Sequence, residues 1–249
     1  MLIPSFDDGT ILKKQMLVAL RDFPRKALDI FFSKYGDGII SGLELSVEGD
    51  VVIISPGIFK YCNKVYLVED KLPHVELCEG NNFVYLDPVI SETDSGRMLC
   101  INATVSKEQH SEMFELFRCT KVKDSVIDIF KDLDDVFSKP LNHINQNNVL
   151  FSYCGGSSFS RNYLKIYALN VLKSYHCSSF DVAFACHCLN GLLDLDLIAQ
   201  YFGFSDKSFS NEDIICKINE KVEQLNSNGK LEIRDKADVY KTEKRMVID

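Results

Sequence analysis

From Thr10 to about Tyr35 the apolar residues Ile11, Leu12, Leu17, Leu20, Ala27, Leu28, Phe31 and Phe32 recur largely at spacings of three and four. Charged residues fill the gaps, which is the period of an amphipathic helix. Pro24 has no amide donor and clashes with the turn before it. The spacing therefore predicts two short helices, at about 10–21 and 24–34, with Pro24 in the first turn of the second. Gly36 and Gly38 are expected to stop the run as C-cap glycines.

Beyond Gly38 the period drops to two, or to short apolar runs. Strands are predicted at Ile39–Val47, Val51–Ser55, Gly57–Tyr61, Lys64–Val68, His74–Cys78, Asn82–Pro88, Met98–Thr104 and Glu115–Val122. Turn residues separate them: Glu48-Gly49-Asp50, Pro56-Gly57 and Cys62-Asn63. Ser91–Arg97 reads as an exposed hairpin tip. Short strands so regularly spaced predict an antiparallel sandwich or partial barrel. Asp124 to Phe137 then returns to helical spacing, with Val126, Ile127, Ile129, Phe130, Leu133 and Phe137 on one side. After the Gly155-Gly156-Ser157-Ser158 stretch, helices are expected over Phe159–Tyr175, Phe180–Leu189, Asp194–Phe202 and Asn211–Asn226, with Ser179 or Ser210 as N-caps. A terminal hairpin of Lys230–Arg234 and Arg245–Ile248 follows Asn228-Gly229. The expected fold class is α+β: short N-terminal helices (1–36), a β-rich middle with one helix near 124–137 (37–157), and a helical C-terminal domain ending in a hairpin (158–249).

Composition narrows the function. The chain has 249 residues and a formal net charge of −8, which disfavours broad salt-driven binding to phosphates. No apolar run reaches the roughly 20 residues that cross a bilayer, and Met1–Asp8 carries acids where an export signal needs bases. The nine cysteines are an odd count spread through predicted strands and helices. That fits small buried hydrophobes in a reducing compartment better than a disulfide framework.

Candidate chemistry is sparse. His176 and Cys177 followed by Cys186, His187 and Cys188 form the one local group of zinc-type donors. On a helix, however, Cys186 and Cys188 diverge by about 200°, against the convergence that zinc requires. Acids at Asp128, Asp132, Asp134 and Asp135 lack an EF-hand loop and read as a solvated helix face. His110 and Cys119 are a nucleophile–base pair by type only, and Glu112/Glu115 a carboxylate pair by type only. No nucleophile elbow, zincin motif or P-loop is present. The expectation is a non-enzymatic chain without cofactor, catalytic set or metal.

One stretch carries a resemblance. Tyr35-Gly36-Asp37-Gly38-Ile39-Ile40-Ser41-Gly42-Leu43-Glu44-Leu45 is followed by Val51-Val52-Ile53-Ile54-Ser55-Pro56-Gly57-Ile58, then by a polar turn and Val65-Tyr66-Leu67. This resembles a module of baseplate and tail-appendage proteins from contractile-tailed phages, prophages and phage-tail-like bacteriocins. There a G-(I/V)-(I/V/L)-S-G-L strand precedes a V-x-(I/V)-x-P-G strand and a short hairpin. The match spans about 35 residues. It implies a structural subunit, at a baseplate or fibre attachment point, that binds other particle proteins and forms a homo-oligomer. Such a subunit is made in the bacterial cytoplasm and released on the particle. The resemblance supplies no catalytic residues.

The alternative from another class is a cytosolic DNA-binding regulator with a winged-helix-like C-terminus. It rests on element order, against eight bases and nine acids over Asn211–Asp249. A cell-wall hydrolase is a weaker third reading, since no carboxylate pair has identifiable glycosidase geometry.

Overall fold

The computed structural model describes residues 11, 13–72, 74–93, 96–130, 133–138, 140–174, 177–191, 193–205 and 209–226. The fold is mixed α+β, with several small, mostly antiparallel sheets and no closed barrel among the described residues.

The N-terminal segment forms one helix, α1 (Lys14–Phe31), in place of the two expected. Pro24 lies inside it. Proline's fixed φ is itself helical, and it removes a single hydrogen bond, so it can be carried within a helix at a local cost. The helix does not end on the expected glycines either. It closes at Phe32, six residues before β1 begins at Gly38.

The strands are β1 (Gly38–Gly42), β2 (Leu45–Glu48), β3 (Val51–Ile54), β4 (Gly57–Tyr61), β5 (Lys64–Val68), β6 (Val75–Glu76), β7 (Gly80–Thr93), β8 (Gly96–Ser106), β9 (Phe114–Lys121), β10 (Asp128–Ile129), β11 (His143–Ile144), β12 (Phe151–Tyr153) and β13 (Gly156–Ser158). They make a five-stranded sheet, β13-β12-β1-β4-β5, two three-stranded sheets, β2-β3-β6 and β8-β7-β9, and a β10-β11 pair. The expected strand Ile39–Val47 is thus two strands in two sheets, because Gly42 (φ 69°) and Leu43 (φ 55°) are both left-handed. The β7–β8 hairpin pairs from Phe83↔Ser106 out to Thr93↔Gly96, so its outermost described pair falls inside the expected Ser91–Arg97.

The long helix expected over Asp124–Phe137 is replaced by three different pieces. Asp124 is left-handed (φ 55°), Asp128–Ile129 pairs in parallel with His143–Ile144, and among the described residues of this stretch the helical ones belong to α2 (Leu133–Ser138). The apolar spacing misled because its residues serve two cores: Ile127 is buried with the β residues, while Phe130, Leu133 and Val136 are buried with the C-terminal helices.

Those helices are α3 (Arg161–Lys173), α4 (Ser179–Asn190), α5 (Leu195–Phe202) and α6 (211–226). The N-cap of α4 is Ser178, one residue before the expected Ser179. Its hydroxyl accepts from the Asp181 amide while the Asp181 carboxylate accepts from the Ser178 amide, a reciprocal capping box. Ser210 and Asp213 repeat the box at α6. The terminal hairpin 230–234/245–248, and with it the wing of the DNA-binding reading, lies outside the described residues.

Two hydrophobic cores result. One is filled by β residues such as Ile54, Phe59, Val84, Leu116 and Phe117, the other by Leu164, Tyr167, Val171, Phe184 and Ile198.

Candidate functional site

The glycine-rich motif folds into a single long hairpin bent in the middle. Its outer half is β1 against β4, with Gly42 opposite Gly57; its inner half is β2 against β3, with Leu45 opposite Ile54. Both strands change sheet at the same level, one through Gly42-Leu43 and the other through Pro56-Gly57. Corners between packed sheets are commonly made by such bends. The bend is closed by two backbone bonds and one to a side chain: the Leu43 amide donates to Pro56 O at 3.2 Å and the Ser55 amide to Glu44 O at 3.0 Å, while the Glu44 amide donates to the Ser55 hydroxyl Oγ at 2.9 Å.

The two turns lie backbone against backbone. A Cβ at Gly42 would sit 2.2 Å from Pro56 O and 2.7 Å from Gly57 Cα; a Cβ at Gly57 would sit 2.5 Å from Leu43 N. Leu43, only 1% exposed, then plugs the β core directly beneath the corner. A cleft of about 410 Å³ runs along this strand, lined among others by Ile40, Gly42, Glu44, Gln146 and Arg161. The corner therefore offers shape and backbone, with Glu44 and Arg161 as the charged side chains among the described residues that line the cleft.

Lys60 on β4 ties α1 to the same hairpin, a role the sequence did not flag. It is 4% exposed, and its ammonium donates to Tyr35 O at 2.6 Å, Phe32 O at 2.9 Å and Ser33 O at 3.4 Å. A cation on carbonyls just past a helix C-terminus also meets the negative end of the helix dipole. Lys60→Met should leave these carbonyls without their donor and lower stability by about 1–3 kcal/mol. Limited proteolysis should then cut first between α1 and β1.

The residues of possible chemistry do not converge. Cys188 faces the helical core, where burial pushes its thiol up to about 12. Cys186 and His187 are exposed on the other side of α4. Cys177 donates to Ser174 O at 3.2 Å, and His176 lies outside the described residues. Among the described residues no three His, Cys, Asp or Glu side chains gather as a metal would need. Cys119 is buried in the β core and burial raises its thiol to about 11; His110 is engaged elsewhere, with Nε2 at 3.0 Å from Ser106 Oγ. Glu115 holds Arg118 through two bonds of 2.7 and 2.8 Å. A smaller cleft of about 280 Å³ opens beside Arg118, whose guanidinium is thereby already engaged and lies over the Phe83 ring. Replacing Cys186 or His187 by Ala should change stability by no more than about 0.5 kcal/mol, a difference that parallel thermal melts resolve.

The polar centre that does exist belongs to the helical core. Asp181, 4% exposed, accepts from Ser178 N and Oγ at 2.9 and 2.8 Å, from Tyr201 Oη at 2.7 Å and from Lys221 Nζ at 2.9 Å. Tyr201 in turn lies 2.8 Å from Tyr167 Oη and stacks on Phe184 at 3.7 Å. Burial opposes the Asp181 charge, but the bonds from Tyr201, Lys221 and Ser178 more than offset it and hold the carboxyl at about 2. Burial raises the Tyr201 phenol far above its ordinary value, and its two bonded partners add to that. These bonds fasten α4, α5 and α6 together.

No family model matches the sequence, and no curated protein matches it. Among solved structures the chain is similar to the crystal structure of TssK, at 8% identity and a TM-score of 0.42, over 90% of this chain and 71% of that one.

Proposed function

We propose that this chain is a structural subunit of a contractile tail or injection particle, placed in the baseplate or at a fibre attachment point and acting through protein–protein assembly. The observation that carries the reading is the bent hairpin. The residues that resemble the tail-appendage module, Gly38 to Ile58, are the ones that form a glycine-packed corner joining two sheets. A corner of this kind is a rigid spacer. Its value lies in holding surfaces at a fixed angle, which is what a subunit repeated around a particle axis needs. Partners would be neighbouring particle proteins and further copies of this chain; assembly would take place in the bacterial cytoplasm, before release. No catalytic step is required.

Particles purified on a density gradient from producing cells test this. The chain should co-migrate with tube and sheath proteins at a fixed ratio, measured by quantitative mass spectrometry. A chain that stays wholly in the slow-sedimenting fraction would sink the proposal.

A further inference from the structure

Helix α1 has no buried residue, although half of its surface is apolar. At about 100° per residue, an unbroken sector of about 160° runs from Leu28 through Leu17, Phe31, Leu20 and Phe23 to Ile30 without a polar side chain. These six are 42–74% exposed. Contiguous exposure on this scale marks a binding face, and the charges around it indicate what binds.

Residues 13–34 carry six cations, Lys13, Lys14, Arg21, Arg25, Lys26 and Lys34, against Asp22 and Asp29, within a chain of net charge −8. Lys14, Arg21 and Arg25 line one border of the apolar sector and Lys26 lies toward the other. Asp22 and Asp29 occupy the middle of the polar side, the part that would face away from whatever the apolar sector meets. Arg21 also pairs with Asp22 at 2.6 Å, an exposed pair worth little.

A seam between two copies would set opposite charges on its flanks; here the flanks carry cations alone. A phospholipid surface fits instead. Its acyl boundary takes the Phe, Leu and Ile side chains, the border cations reach the phosphates along their own stems, and the acids stay in water. We infer that α1 is a lipid-surface helix that lies in the headgroup boundary of an anionic bilayer, held to the protein body through Lys60. This goes beyond the particle proposal and does not depend on it. It is also consistent with no described helix being long and apolar enough to cross a membrane.

The chain contains no Trp, so Phe23→Trp in the full-length protein places a single reporter on the apolar sector. With phosphatidylcholine vesicles containing phosphatidylglycerol, its emission should shift to the blue and the protein should float with the vesicles; phosphatidylcholine alone should give much weaker binding. Lys14→Gln with Arg25→Gln should weaken binding about 30-fold, at about 1 kcal/mol per border cation. Leu20→Glu with Phe31→Glu should abolish it while far-ultraviolet circular dichroism stays unchanged. Absence of both flotation and blue shift on the anionic vesicles overturns the inference. So does a lipid-free oligomer that the Leu20→Glu/Phe31→Glu pair converts to monomer in sedimentation velocity, because a second copy would then cover the face.

Discussion

Gly42→Val should lower the unfolding free energy by about 3–5 kcal/mol, a large share of a typical 5–15 kcal/mol. Two costs combine. The left-handed backbone at Gly42 (φ 69°) strains a β-branched residue, and such strain costs about 1–3 kcal/mol. The added Cβ would also stand 2.2 Å from Pro56 O. That atom is backbone in the facing strand and cannot swing aside, so the corner must open, at a further cost of about 1–3 kcal/mol. Gly49 separates the two effects, because it has nearly the same φ (66°) with nothing within 4 Å of the corresponding Cβ. Gly49→Ala should therefore cost only about 1 kcal/mol. Urea unfolding followed by circular dichroism measures both. Equal effects at the two positions would show that the close packing of the corner contributes nothing.

Asp181→Ala should be next in size, at about 3 kcal/mol. It removes the α4 cap, worth about 1 kcal/mol, and strips Lys221 and Tyr201 of the carboxylate they share, which for a buried pair is strongly destabilising. Asp181 also gives the helical core a pH signature. Its carboxyl titrates near 2 when folded and near 3.9 when unfolded. The unfolded state thus takes up the proton first as pH falls. The stabilisation is complete above about pH 5 and is lost on acidification toward pH 2, by on the order of 1 kcal/mol once solvent screening is allowed for. Asp181→Asn should flatten that acid limb while leaving the shape of the site in place. A wild-type and Asn variant with parallel acid limbs would contradict this assignment.

Where local pattern and global packing agreed, the sequence was readable. Gly57–Tyr61 and Lys64–Val68 are short apolar runs bounded by turn residues and form strands with those bounds. The helices after residue 160 were visible in their spacing because one core receives their apolar faces. Failures came where one run of apolar residues was divided. Ile39–Val47 reads as a single strand, since periodicity does not register that two residues in its middle turn left-handed. Asp124–Phe137 has helical spacing because Ile127 and Leu133 are both buried, but in different cores. Pro24 reads as a breaker, yet α1 carries it at a local cost. At the site level, the glycines of the bent hairpin were legible as a pattern, and their close approach was not. Lys60 and the Asp181–Tyr201–Lys221 network left no trace in sequence, for they join residues 25–28 and 20–40 positions apart through contacts that only the fold creates.

In the proposed role, the bent hairpin serves as a spacer within a contractile particle. Cryo-electron microscopy of purified particles, at a resolution that traces strands, tests it most directly. Density for this chain is expected at the baseplate or a fibre attachment point, in symmetric copies, with the Gly42–Gly57 corner holding the two sheets between neighbouring subunits. Intact, complete particles in which no density fits this chain would contradict it.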